Sequence, residues 1–131
     1  MYVGRPVPRV DAREKTTGEL KYLTDLTFPG MLHGRVKRAE HPHALIKSID
    51  ATEARALPGV AAVLTHEHVP GLNAFGIVIQ DQPVLCRDKV RYLGDAVALV
   101  AAETPEAAAR ALDLIRVEYE PLPVVDDPRR A

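Results

Sequence analysis

Five histidines, one cysteine and 18 acidic residues are the side chains from which this chain could build a reactive centre. His41-x-His43 and His66-x-His68 have the spacing that sets two imidazoles on one face of a strand, a possible half of a metal site. Both pairs fall at strand ends or in loops, His41 precedes a proline, and no carboxylate or cysteine stands at a ligand spacing beside them. Surface loop histidines are the preferred reading, with metal as the alternative. Cys86 is the single cysteine, so neither an internal disulfide framework nor a thiolate cluster for zinc or iron–sulfur is expected. A nucleophilic Cys86–His pair would need an elbow or an oxyanion signal that its neighbours lack, which favours a structural thiol over a small cysteine-dependent enzyme. Glu118 and Glu120 read as the solvated face of a strand, and Asp126 and Asp127 as a polar tail.

The stretch DAVALVAAETPEAAARAL, residues 95–112, runs from an apolar strand into an alanine-rich helix, the corner at which many enzymes hold a phosphate. A dinucleotide corner needs G-x-G-x-x-G and a P-loop needs its glycines with Lys-Ser/Thr, so that backbone N–H groups meet the anion. Glu103, Thr104 and Pro105 offer instead a carboxylate and a missing donor. The corner reads as scaffold.

The elements that would position these groups follow from the chain's patterning. With 131 residues, 47% apolar, one domain is expected, and a net charge of −1 gives no footprint for nucleic acid or an anionic membrane surface. No apolar stretch approaches the roughly 20 residues that cross a bilayer, nor does the N-terminus read as a signal peptide, and the cytoplasm is the expected location. Residues 1–18 read as an extended arm because Pro6 and Pro8 fix their own and their neighbours' backbone. Strands are expected over ELKYLTDL, MLHGRVKRA, HALIKSID, VAAVLT, Val84–Leu85, Val90–Tyr92, Val97–Ala102 and from Ile115 onward. Two short helices fall at about 51–57, opened by an Asp50–Glu53 capping box, and 105–114, opened by Thr104 and Pro105 with a core stripe at Ala108, Ala111, Leu112 and Ile115. Residues 66–83 are a loop between the two halves. HALIKSID–ATEARAL–VAAVLT and VALVAAE–TPEAAARALDL–IRVEYE are thus two strand–helix–strand units.

Several short segments, in order, resemble the start of the large subunit of the xanthine dehydrogenase and aldehyde oxidase family, the molybdenum hydroxylases. They are Arg9–Val10–Asp11, Thr17–Gly18, Pro29–Gly30–Met31–Leu32–His33–Gly34, His43–Ala44, Pro58–Gly59–Val60, Val90–Arg91–Tyr92–Leu93–Gly94 and Glu118–Tyr119–Glu120–Pro121–Leu122–Pro123. The resemblance covers essentially the whole chain. It implies an α+β fold, the α/β hammerhead domain, with mixed β-structure. It further implies a holoenzyme that hydroxylates a purine, aldehyde or heteroaromatic carbon at a molybdopterin-bound molybdenum and passes electrons through iron–sulfur clusters, often to FAD in partner domains or subunits. The family's catalytic glutamate and cofactor-binding segments lie beyond this domain, so no catalytic, cofactor or metal residue is carried over and the isolated chain is expected to be inactive. Phe75–Gly76 lacks the preceding glycines of the family's later phenylalanine–glycine motif, and His68 replaces the aspartate that relatives often place before Val-Pro. The expected role is packing on the molybdenum-cofactor-binding portion and shaping the substrate channel. Because the loop Leu72–Pro83 and the arm lack an internal packing pattern, Phe75, Gly76, Asp81, Gln82 and Pro83 are the candidate contact residues. The alternative is a free-standing module that binds a metal or a small ligand.

Overall fold

The computed structural model describes residues 3–130, and the chain divides after Met31 into two compact units. In the first unit the extended arm is corrected by a helix, α1 (Ala12–Thr17). The prolines constrain the chain only as far as residue 8. Beyond them Asp11 gathers Lys15 at 2.7 Å and Arg9 at 2.6 Å, the Thr16 and Thr17 hydroxyls donate back to carbonyls of the preceding turn, and Gly18 closes the helix at a left-handed φ of 77°. The strand expected over ELKYLTDL is also overturned. Leu23–Asp25 is a 3₁₀ turn, because the Asp25 carboxylate accepts the Tyr22 N–H at 3.0 Å and satisfies it locally.

The second unit holds two antiparallel three-stranded sheets. One has the order β1 (His33–Arg38), β5 (Ala96–Ala102), β3 (Val60–Leu64), and the other β4 (Lys89–Val90), β2 (Ala44–Asp50), β6 (Arg116–Pro121). Helix α2 (Thr52–Ala56) connects β2 to β3, and α3 (Pro105–Leu114) connects β5 to β6. Each strand–helix–strand unit therefore starts in one sheet and ends in the other.

Helix α3 follows its sequence. The Thr104 hydroxyl accepts the Ala107 N–H at 3.1 Å, Pro105 opens the first turn, and Ala107, Ala108 and Ala111 are buried. These small side chains let the helix lie close against β1, β5 and β3. With Ala54, Val63, Ala98, Val100, Ala102 and Ile115 they form the larger core cluster. A second cluster gathers Ala39, Ala44, Cys86, Val90 and Val97 around the other sheet. Ile49 and Val117 pack against both clusters. Each fully buried valine contributes about 1.5–3 kcal/mol to the folded state.

Three details depart from the sequence reading. Asp50 ends β2 and accepts the Thr52 N–H at 2.9 Å, while Glu53 pairs with Arg116 at 2.8 Å, so the expected capping box does not form. The strand expected at Val84–Leu85 is absent, because both amides donate to a side chain, that of Asn73. The next expected strand is confined to Lys89–Val90.

Candidate functional site

The residues between the halves form an ordered finger. His66–His68 is a 3₁₀ turn in which the Thr65 N–H donates to His68 Nδ1 at 3.1 Å. Asn73 then ties the finger's root together. Its Nδ2 donates to the Leu85 carbonyl at 2.7 Å, and its Oδ1 accepts the Val84 and Leu85 amides at 3.1 Å each. Two residues further on, Phe75 and Gln82 exchange backbone hydrogen bonds of 2.8 and 3.3 Å. Gly76 makes the turn possible, since a Cβ there would lie 1.9 Å from the Ile79 carbonyl oxygen. Ile77, Val78 and Ile79 lie between these pinned ends, and the first two are essentially fully exposed.

Of the five candidate contact residues, Phe75, Gly76 and Gln82 build the neck of the finger. Asp81 and Pro83 line a cleft of about 640 Å³ at its foot, together with His66, Glu67, Arg87 and Arg91. Sequence reasoning missed the tip and the clamp. The tip was visible as a run of three aliphatic residues after a loop glycine, and Asn73 as the one amide side chain in HEHVPGLNAFG.

Several of the remaining reactive side chains have structural partners, whereas His66 Nδ1 and the Tyr119 hydroxyl are buried without a hydrogen-bond partner. His43 Nδ1 lies 2.7 Å from the Pro123 carbonyl, and His41 leans on the Tyr119 ring at 5.0 Å between centroids. Among the described residues no three His, Cys, Asp or Glu side chains come together as a metal site. Cys86 is fully buried, and burial, with Asp95 beside it, pushes its thiol up to about 12. A thiolate nucleophile is not available there at neutral pH. Burial likewise pushes Tyr119 up to about 12. Glu118 and Glu120 occupy the solvated side of β6, where Glu120 pairs with Lys47 and Glu118 accepts the Ser48 hydroxyl at 3.3 Å. At the corner before α3 the Ala107 N–H is already taken by Thr104 and the Glu103 carboxylate stands alongside. That arrangement does not fit a cofactor phosphate.

Two small antiparallel sheets joined by crossing helices, with an exposed finger, define an α+β domain of the hammerhead class. The chain belongs to the aldehyde oxidase and xanthine dehydrogenase family, whose a/b hammerhead domain it matches over residues 17–123. It is 62% identical over 123 residues to a probable xanthine dehydrogenase subunit of Bacillus subtilis, covering 94% of this chain and 16% of that protein. It is 44% identical over 126 residues to the carbon monoxide dehydrogenase large chain of Afipia carboxidovorans, again covering 94% and 16%. Among solved structures, CO dehydrogenase from Oligotropha carboxidovorans superposes with a TM-score of 0.90 at 43% identity, over 98% of this chain and 16% of that one. Aldehyde oxidoreductase from Desulfovibrio gigas gives 0.83 at 39% identity, over 88% and 14%. The chain thus spans about one sixth of the length of these relatives. Among the described residues no helix is long and apolar enough to cross a membrane.

Proposed function

We propose that these 131 residues are the hammerhead domain of the large subunit of a molybdenum hydroxylase, and that the finger forms part of the wall of its substrate channel. The domain packs on the portion of the subunit that binds molybdopterin and molybdenum, with the proline-containing arm and the finger as contacts. Iron–sulfur and FAD domains or subunits, in the cytoplasm, carry the electrons away. The observation that carries this reading is the finger itself. A surface loop with three exposed aliphatic residues at its tip normally marks an interaction site, and here root and neck together are held by five hydrogen bonds. Rigid apolar loops suit the wall of a path taken by a flat heteroaromatic or an aldehyde.

No residue of this chain is assigned a bond-making step. Its contribution is shape: the pinned neck fixes where the tip stands, and the tip excludes water and bulk from its surroundings. Carving the tip back in the holoenzyme, by Val78→Ala with Ile79→Ala, tests this. The ratio of kcat/KM for a bulky substrate to that for a small one should rise, with molybdenum content unchanged. An unchanged ratio would refute the channel role, and a native polypeptide of about 14.3 kDa would refute the large-subunit reading.

A further inference from the structure

The two legs of the finger are held to the domain in different ways. The descending leg enters the core at Leu85 and Cys86, both buried, and the Cys86 N–H donates to the Ala96 carbonyl at 2.7 Å where β5 begins. The rising leg, residues 70–74, has no such seat. Among the described residues its main chain makes no hydrogen bond to other main chain. The last such bond before it is from the Val69 N–H to the His66 carbonyl at 3.3 Å, and the next is the Phe75–Gln82 pair. One side chain closes that gap. Asn73 reaches across eleven and twelve residues to the backbone of Val84 and Leu85.

The bond pattern selects the residue type. Two adjacent N–H groups and one carbonyl are met at once, which asks for an acceptor oxygen and a donor nitrogen on one rigid plane, and a carboxamide carries both. An ionised aspartate would accept twice and donate nothing. The rising leg also has room to move. The cleft of about 640 Å³ at the foot of the finger runs beside it, with Leu72, Asn73 and Ala74 in its lining. The charged groups of that lining, Glu67, Asp81, Arg87, Asp88 and Arg91, make no ion pair across it among the described residues. Without Asn73 the rising leg is therefore tied only at the neck and at the turn below it, and the tip moves with whatever the leg does.

We propose that Asn73 is a positioning residue for substrate selection: by tying the rising leg to Val84 and Leu85 it fixes where Ile77, Val78 and Ile79 stand, and so the width of the passage they line. Asn73 touches no substrate. This rests on the channel role of the finger, and it assigns the setting of that channel to a single carboxamide at the root.

The test uses the full-length subunit in its holoenzyme. Ile77→Cys places a thiol at the tip. Its alkylation by iodoacetamide and by the much bulkier N-(1-pyrenyl)maleimide is read by mass spectrometry of the peptide carrying position 77, each rate being divided by the rate in urea. A narrow passage admits the small reagent and holds back the bulky one. Adding Asn73→Ala should raise the bulky-to-small ratio at least roughly tenfold, as the loss of three hydrogen bonds that hold one segment implies. Asn73→Asp keeps the two accepted bonds and should give a smaller rise, and it carries the comparison alone if Asn73→Ala does not assemble. Leu85→Ala removes a buried side chain from the same place and keeps every Asn73 bond, so its ratio should stay within about twofold of the parent. A ratio unchanged within about twofold in the Asn73 variants, or raised as far by Leu85→Ala, would overturn the proposal. The channel reading fails differently, in the Ile77→Cys parent itself. No reaction with iodoacetamide there, or equal normalised rates with both reagents, would mean that no size-selective passage runs past the tip, and would remove both.

Discussion

Replacing Gly76 by alanine should open the finger and leave the rest of the domain intact. The new Cβ would lie 1.9 Å from the carbonyl oxygen of Ile79 and 2.8 Å from its carbonyl carbon. Both are backbone atoms, so no rotamer change relieves the contact. Restoring a non-bonded separation of about 3.5 Å needs a displacement on the order of 1.5 Å. The neck cannot absorb that shift, since one of its two Phe75–Gln82 hydrogen bonds is already 3.3 Å long. Losing both bonds costs about 0.5–1.5 kcal/mol each. The neck should then open roughly 5–150-fold more often, as about 1–3 kcal/mol implies. Amide hydrogen exchange reads this directly: Phe75 and Gln82 should exchange faster by that factor, while amides of β5 and α3 keep their protection. Unchanged exchange at Phe75 and Gln82 would refute the argument from close approach. Loss of protection throughout β5 would refute the claim that the finger is a local unit.

Asn73→Ala removes three hydrogen bonds and strands the buried amide and carbonyl of Leu85. The finger's root should loosen by about 2–4 kcal/mol in hydrogen exchange. Asn73→Asp keeps the two accepted bonds and should fall between. Ala111→Leu forces bulk between α3 and its sheet at a fully buried site, and should lower stability by about 1–3 kcal/mol in urea unfolding. Cys86 and Tyr119, with ordinary values of 9.0 and 10.0, are both raised to about 12 in the fold, so the unfolded chain ionises first. Their contribution is intact below pH 9 and is lost as pH climbs from 9 towards 12. The urea midpoint should decline over that window, and Cys86→Ala should delay the onset of the decline towards pH 10.

What the sequence makes legible is whatever is satisfied locally. The Thr104 cap, Pro105 and the alanine stripe define α3 because each acts within a turn or two of its neighbour. The VALVAA run defines β5 for a similar reason. Val84–Leu85 carries the same apolar signal as a strand, yet its amides are claimed by Asn73, whose reach of eleven and twelve residues leaves no periodic trace. Helix α1 hides behind two prolines whose influence ends before Asp11 gathers its cations. The two strand–helix–strand units are readable as units. That each crosses between sheets is not, because a period of two says which face a residue takes and nothing about its partner strand. At the candidate site the loop glycine was readable, whereas the neck depends on Phe75 meeting Gln82.

The crossing topology bears on how the protein is made. Among the described residues no strand pairs with the next one along the chain. Leu64 waits for Leu99, His33 for Ala102, and Ala44 for Val90 and then Pro121. A ribosome that has delivered β1, β2 and β3 has delivered three unpaired strands, and none acquires a ladder partner until the later strands emerge. Such non-local pairing folds slowly and keeps edges available to other nascent chains. The domain's demand for chaperones during synthesis should therefore peak before residue 96 is translated and fall once β5, which pairs with both β1 and β3, leaves the exit tunnel.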